Sequence, residues 1–439
     1  KQKIFKFNGL SIDSRELKKH NLFLTMKGKH SDGNEFISKA LTKGASYFVT
    51  SKNIKRFKKK MIKVKSTHKF LRKFSSLKRN NCNAKVVGVT GSAGKTSLKN
   101  ILKTLLQKFG KTYASPKSFN NHLGVPISLS NIDFDHKYCV FEIGMNKPKE
   151  IYRLSKMIKP NIAVITNIAE AHIENFKNIK GIAKAKAEII ENVQKDGTII
   201  LNRDDRFFKY LKKIAIKKKI NIISFGKSYN SVVRLIKFQR FKHFNLVTIS
   251  IKNEIFKIKI KDLNHYNVLA SLSVLEAFKL DIKKIINNFQ YFEPSEGRGK
   301  IHNIKRYSKN FILIDESYNA NPLSAQNALK KFSSIKKKNS KKYLILGDML
   351  ELGKNSEFYH KTLSKVINNS DIDKVFIKGE KSLFTFKNLS KNKRGNILQS
   401  NQDVDLILKN IIANNDYLMI KGSNATGLNN ISNKMIKGN

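Results

Sequence analysis

The sequence predicts an α/β protein of three domains: a small α/β N-terminal unit, a central parallel-sheet unit with an antiparallel β segment, and a C-terminal Rossmann-like unit. Three observations carry that expectation. Strand, loop and helix patterns alternate from Val86 onward, the hydrophobic period switches to two between Ser231 and Lys261, and the alternation resumes after "EPSEGRG". A chain of 439 residues also exceeds what one hydrophobic core supports.

Along the chain, "GLSIDSRELKKHNLFLTMKG" alternates apolar and polar residues around turn signals, and "DGNEFISKALTKGASYFVTS" reads as a helix stopped at Gly44, then a strand. The Lys- and Asn-rich stretch Leu77 to Lys85 marks the first boundary. "KVVGVT" follows as a buried strand, and Leu98, Ile101, Leu102, Leu105, Leu106 and Phe109 recur at helical spacing behind a Gly-rich turn. "YCVFEIGM", "NIAVITN", "GTIILN" and "INIISFG" are further buried-type strands, the pattern of a parallel sheet. "VVRLIKF", "FNLVTISI" and "EIFKIKIKD" read as an antiparallel meander, with a helix from about Asn264 after it. Beyond Pro294, "FILIDESY", "KYLILGD", "KVFIKG" and "YLMIKG" are strands of a second doubly wound unit without a dinucleotide fingerprint. The expected domain limits are 1–83, 84–295 and 296–439.

Bulk composition narrows the function classes. No apolar run approaches the ~20 residues that span a bilayer, and no signal-peptide pattern opens the chain, so stable membrane insertion is not expected. Two cysteines, Cys82 and Cys139, form neither a C-x-x-C pair nor a metal spacing, which fits a reducing, cytoplasmic setting. The formal net charge of +55 would ordinarily suggest nucleic acid. The lysines are spread evenly, however, and runs such as Lys58–Lys60 and Lys336–Lys338 read as solvated faces, so no nucleic-acid partner is expected. A basic surface still attracts phosphorylated small molecules.

The stretch "KVVGVTGSAGKTS" (Lys85–Ser97) carries the strongest chemical signal. It departs from the usual G-x-x-x-x-G-K-[ST] loop, because Val89 stands where the first Gly belongs. Gly91, Ser92, Ala93, Gly94, Lys95, Thr96 and Ser97 nonetheless form a Gly-rich turn between strand and helix, whose backbone N–H groups and helix N-terminus suit phosphate oxygens. Lys95 would neutralise β/γ-phosphates, and the Thr96 hydroxyl would ligate Mg²⁺. Glu142 ends a strand where parallel-sheet sites collect their groups; taken alone, a strand-end Glu is more often a structural carboxylate. His172, in the loop "TNIAEAHIENF", reads by itself as a polar loop residue. Lys184 and Lys186, placed at the start of the helix "GIAKAKAEII", read as one more lysine pair.

Together, "TGSAGKTS", "SFNNHLGVP", "EIGMN", "TNIAEAHIENF", "AKAKAEI", Gly297-Arg298, "DESYNANP" and "GDMLELG" resemble the Mur ligase family in order and spacing, and the N-terminal "SIDSR" and "DGNEF" extend the resemblance over essentially the whole chain. The family's shorter loop, T-G-[ST]-x-G-K-[ST], accounts for the missing Gly. "SYNANP" and "GDMLELG" point to the branch that joins D-alanyl-D-alanine to UDP-N-acetylmuramoyl-tripeptide in the cytoplasmic stage of peptidoglycan synthesis. The resemblance implies a central ATPase domain, ATP as co-substrate, two Mg²⁺ ions, an acyl-phosphate intermediate and a monomer.

Residue by residue, it implies that Gly91 to Ser97 wrap the ATP phosphates, that Thr96 and Glu142 hold one Mg²⁺, and that His172 helps with a second. The family's carbamylated lysine maps to Lys186, with Lys184 as the alternative. Asn264 and Asn267 match an element near the nucleotide base. Arg298, Asp315, Tyr318, Asn319 and Asn321 would bring the C-terminal domain onto ATP. Ser14 and Arg15, with "HSDGNEF", would meet the uridine nucleotide, Asn120 and Asn121 the muramoyl peptide, and Asp348 in "GDMLELG" the incoming dipeptide. Departures from the usual family residues fall at Asn34, Lys117-Ser118, Ala169, Leu263 and Glu316, none of them an implied phosphate or metal ligand.

Overall fold

The computed structural model describes residues 4–28, 31–335 and 339–438, so His30 and the Lys336–Lys338 run lie outside the described residues. The architecture is α/β throughout, built on three sheets that belong to an N-terminal, a central and a C-terminal domain.

The first sheet pairs Leu10–Ser11, Leu22–Leu24, Tyr47–Thr50 and Met61–Lys63 in that order, all parallel. Its core is small: Phe23, Ile37, Ala40 and Phe48 on one face, and Leu22, Leu24, Val49 and Leu71 on the other. Gly44 stops the preceding helix at φ +92°, as the sequence suggests.

The central sheet has nine strands. From one edge they run Thr112–Ala114, Tyr138–Glu142, Lys85–Thr90, Ile162–Ile165, Thr198–Asn202, Asn221–Gly226, Val233–Arg240, Asn245–Ile251 and Glu254–Ile260. The meander predicted between Ser231 and Lys261 is present but is no separate sheet. Its first strand adds parallel to Asn221–Gly226, and only the last two pairings are antiparallel. The strand Lys85–Thr90 sits inside this order, with Ile162–Ile165 on one side and Tyr138–Glu142 on the other. Chain order reverses there, which opens a crevice at the carboxyl ends of those three strands.

Both faces are covered. Val87 and Val89 pack with Leu98, Leu102 and Leu105 of the helix Lys95–Gln107 and with the helix His265–Ala277. That second helix buries Asn267 through Leu275 without a polar stripe, because it lies between elements on all sides. On the other face Val86, Cys139, Phe141, Ala163 and Ile165 join a cluster that continues into the C-terminal domain at Met349, Leu352 and Ala320.

The third sheet runs Lys300–Arg306, Lys309–Glu316, Tyr417–Lys421, Lys342–Gly347, Lys374–Lys378 and Arg394–Ile397. All pairings are parallel except the opening hairpin. Two of these strands escape the sequence reading. "KIHNIKR" is an edge strand of alternating exposure, too polar to stand out, and "RGNI" is short and half-exposed. The helix around Lys184 and Lys186 also differs from expectation. Asn178 caps it by accepting from the Gly181 amide, so it spans Ile179–Ala187 and both lysines fall in its last turn rather than at its start.

Candidate functional site

The crevice is built around the turn Gly91–Gly94. At Gly91 the backbone takes φ +145°, and an added Cβ would lie 1.8 Å from the Thr166 hydroxyl, so only Gly fits. Gly94 takes φ +83° and leaves room for the Asn267 amide, which a Cβ would meet at 2.8 Å. The neighbouring strand end holds the turn. Asn167 accepts from the Ser92 amide through its carbonyl and from the Ala93 amide through Oδ1, both at 3.0 Å. The Thr166 hydroxyl donates to the Ala93 carbonyl at 2.6 Å, and the Ser92 hydroxyl donates to the Ala169 carbonyl at 2.8 Å.

The amides of Ser92 and Ala93 are therefore already hydrogen-bonded within the protein. The amides with no preceding helical carbonyl are those of the first turn of Lys95–Gln107, which includes Lys95, Thr96 and Ser97. Sequence reasoning passed over Thr166 and Asn167, whose only signal is their place at the end of a buried strand.

Thr96 and Glu142 meet directly. The Thr96 hydroxyl donates to Glu142 Oε2 at 2.7 Å, while Asn120 Nδ2 donates to Oε1 at 2.7 Å. Glu142 is 1% exposed. Asn121 works locally instead: its Oδ1 accepts from the amides of Leu123 and Gly124 at the start of the helix Gly124–Ser130. Lys95 donates to the Gly91 carbonyl at 2.8 Å, which keeps its ammonium over the turn. Burial lowers its pKa, Glu142 opposes that shift, and the nearby Arg298 adds to it.

Lys186 separates from Lys184 by burial. Lys184 is exposed, whereas Lys186 is only 3% exposed. Burial, and Lys95 beside it, push the Lys186 ammonium well below the ordinary lysine range.

His172 faces the C-terminal domain. Its backbone is left-handed (φ +58°), and its Nδ1 lies 2.5 Å from Glu351 Oε2 in the "GDMLELG" loop. The imidazole pulls the Glu351 carboxyl below its usual range. Among the described residues, His172 and Glu142 share no cluster of three metal-ligating side chains.

The C-terminal domain reaches the crevice through Asn321 and Arg298. Asn321 Nδ2 donates to the Ser92 carbonyl at 3.2 Å, and the same side chain caps the helix Pro322–Ser333. Arg298 stacks over Tyr318, its Cζ 4.2 Å from the ring centroid, and donates to Ser118 Oγ at 3.1 Å. Asp315 is 1% exposed and acts on its own chain, accepting from the Gly297 amide at 2.7 Å and the Ser317 hydroxyl at 2.6 Å. It thereby fixes the turn that presents Arg298. Asn319 is exposed, and its carbonyl accepts from the buried Lys421 at 2.5 Å.

The remaining residues lie apart from this crevice or are engaged structurally. Asn264 caps the helix His265–Ala277 by accepting from the Tyr266 amide. Asp348 accepts from the Ser382 amide at 2.7 Å, so at least one of its oxygens serves the fold. Ser14 is buried in the N-terminal domain, and Arg15 is exposed and paired with Asp13 at 2.8 Å.

Three family models match in succession: Mur ligase family, catalytic domain, over 6–79; Mur ligase middle domain over 89–275; and Mur ligase, glutamate ligase domain, over 301–424. A Rickettsia prowazekii protein named UDP-N-acetylmuramoyl-tripeptide–D-alanyl-D-alanine ligase is 33% identical over 429 residues, spanning 97% of this chain and 94% of that relative. A Buchnera aphidicola protein of the same name is 31% identical over 450 residues, spanning 98% and 92%. The crystal structure of the MurF ligase from Thermotoga maritima in complex with ADP shares the fold, with a TM-score of 0.81 at 24% identity over 100% of this chain and 99% of that one. A chain that resembles such relatives from end to end, with each of its three domains matched, belongs to the Mur ligase family.

Proposed function

We propose that this chain is an ATP-dependent amide ligase that joins D-alanyl-D-alanine to UDP-N-acetylmuramoyl-tripeptide, a step of the cytoplasmic stage of peptidoglycan synthesis. One observation supports it above the rest. A phosphate-type turn, the Thr96–Glu142 pair, a buried lysine whose pKa is pushed down and groups from a second domain converge at one crevice, in a chain 33% identical to a ligase of that name. Domain limits at 83/84 and 295/296 fit the three sheets.

A carboxylate is a poor acyl donor, because its oxygen leaves badly. Transfer of the γ-phosphoryl of ATP to the tripeptide carboxylate breaks the bond to ADP and forms an acyl phosphate. The free amine of D-alanyl-D-alanine then attacks the carbonyl carbon, phosphate leaves with the bonding electrons, and the amine proton passes to solvent. Most of the barrier lies in bringing two anions together and screening them. Lys95 supplies positive charge over the turn, and the first-turn amides of the helix Lys95–Gln107 point toward its N-terminus.

Thr96 and Glu142 offer the hard oxygens that Mg²⁺ prefers and would hold one ion, while the His172 imidazole would assist a second once released from Glu351. Bound Mg²⁺ would screen phosphate charge. Lys186 would add an oxygen ligand as a carbamate, formed when the amine form, which burial favours, takes up CO₂ and loses a proton. That change gives Lys95 an anionic neighbour.

Arg298, Tyr318, Asn319 and Asn321 would close over ATP, with Asp315 orienting Arg298. Asn264 and Asn267 would flank the base, Ser14 and Arg15 the uridine nucleotide, Asn120 and Asn121 the muramoyl peptide, and the Asp348 loop the dipeptide. Closure excludes water that would hydrolyse the acyl phosphate. No helix among the described residues is long and apolar enough to cross a membrane, which is compatible with a cytoplasmic place of work.

Phosphate release with purified UDP-muramoyl-tripeptide tests the reading. It should require both the tripeptide and D-alanyl-D-alanine, and Lys95→Ala should abolish it. Release at the full rate without the dipeptide, or without a ligated product, overturns the assignment.

A further inference from the structure

The turn 115–121, which links the strand Thr112–Ala114 to the helix Gly124–Ser130, touches all three domains. Toward the N-terminal domain, the Lys117 ammonium pairs with Glu16. Toward the C-terminal domain, Ser118 Oγ accepts from Arg298 at 3.1 Å. Toward the phosphate-type turn, the same Ser118 Oγ lies 3.4 Å from the Thr96 hydroxyl, and Asn120 donates to Glu142 at 2.7 Å. Ser115 is drawn in as well, its hydroxyl accepting from the Glu142 amide at 3.3 Å.

What holds this turn is Lys99, one helical turn beyond Lys95 and on the same helix. Its side chain is among the most deeply buried in the molecule, at 1% exposure. The ammonium donates to the Ser115 carbonyl at 2.7 Å and to the Lys117 carbonyl, and among the described residues no carboxylate pairs with it. Lys117 sits in the left-handed region at φ +44°, a conformation that a residue with a β-carbon keeps only when its surroundings impose it. An ammonium is costly to bury, and here burial draws its pKa down to about 8. A methionine-like side chain would fill the space more cheaply but would leave both carbonyls without a donor. The contribution particular to Lys99 is therefore the path of the turn, since apolar contact alone would serve the core.

We propose that Lys99 is a positioning residue that fixes the 115–121 turn so that Ser118 receives Arg298 when the C-terminal domain docks, tying domain closure to the phosphate-binding helix. The kinetic consequence rests on the ligase reading; the structural one does not. Lys117–Glu16 is an exposed pair and adds little, whereas Ser118 sits where closure and nucleotide meet.

Amide hydrogen exchange on the ligand-free full-length protein reads the turn directly. In Lys99→Met, the amides of 117–121 and 297–299 should exchange at least ~10-fold faster, while the strand Lys85–Thr90 keeps its protection. In steady-state assays kcat should fall by about 10-fold or more, with KM for ATP within about threefold. Ser118→Ala should lower kcat similarly, and the double variant should be no worse than Lys99→Met alone, because the two act in series. Faster exchange confined to the helix Lys95–Gln107, or losses that multiply in the double variant, overturn the proposal. Should Lys99→Met fail to fold, Ser118→Ala decides alone: unchanged kcat together with unchanged exchange at 297–299 overturns it. If the wild-type protein makes no ligated product, the ligase reading fails while the exchange result still judges Lys99.

Discussion

Replacing Gly91 by Ala probes the phosphate turn where its geometry is least forgiving. At φ +145° an L-residue is strained, at a cost of about 1–2 kcal/mol. The new Cβ would fall 1.8 Å from Thr166 Oγ1 and 3.0 Å from Thr166 Cβ, so Thr166 must rotate. Rotation breaks the 2.6 Å hydrogen bond from Thr166 to the Ala93 carbonyl, worth about 1 kcal/mol. The sum is about 2–3 kcal/mol, carried almost wholly by the conformation that meets phosphate, and corresponds to roughly 30- to 150-fold weaker nucleotide binding. Calorimetric titration of ADP measures it. Gly438→Ala is the matched control, since Gly438 also has positive φ (+79°) but nothing within 4 Å of an added Cβ, and it should bind ADP as the wild type does. Adding Thr166→Ala to Gly91→Ala removes the hydroxyl clash but not the backbone strain, so it should restore only part of the loss. Wild-type ADP affinity in Gly91→Ala would refute the reasoning, because then neither the strain nor the clash lies where phosphate binds.

Lys186→Ala should lose ligase activity by on the order of 100-fold and regain part of it with added formate or acetate, which can stand in for a carbamate oxygen. Activity like that of the wild type would remove Lys186 from the site. Glu351→Ala frees His172 from a half-exposed pair, so stability should change by less than about 1 kcal/mol while the Mg²⁺ concentration for half-maximal activity shifts several-fold. An unchanged Mg²⁺ profile would argue that His172 serves only the domain contact. Burial lowers the His265 pKa from 6.5 to about 4. Between those values the unfolded chain binds the proton and the folded chain does not, so stability should fall as pH drops through this window, by at most about 3 kcal/mol. In His265→Phe, denaturant titrations from pH 7 to pH 4 should show a shallower loss; an identical slope would show that His265 does not carry this pH dependence.

Local pattern carried a large part of the molecule. Val87 and Val89, with Leu98, Leu102 and Leu105, announce a strand–turn–helix unit, because burial on a known face imposes periods of two and 3.6 that survive in one dimension. The edge strand Lys300–Arg306 left no such trace, since an edge exposes alternate residues and tolerates lysine. The meander was legible as three strands but not as an extension of the central sheet, because pairing between Val233 and Phe225 joins segments that propensity treats separately.

The site divides along the same line. Gly91, Gly94, Lys95 and Thr96 are contiguous, so their spacing alone announces phosphate chemistry, and with the distant motifs it identifies a family. Which of two equivalent lysines is buried, which loop amides Asn167 already holds, that His172 meets Glu351, and that Lys99 pins a turn joining three domains are matters of distance between residues far apart in the chain. Desolvation and hydrogen-bond geometry exist only once the chain has folded. Residue type and spacing therefore determined the chemistry this protein can attempt, and tertiary packing decided which atoms stand in place to carry it out.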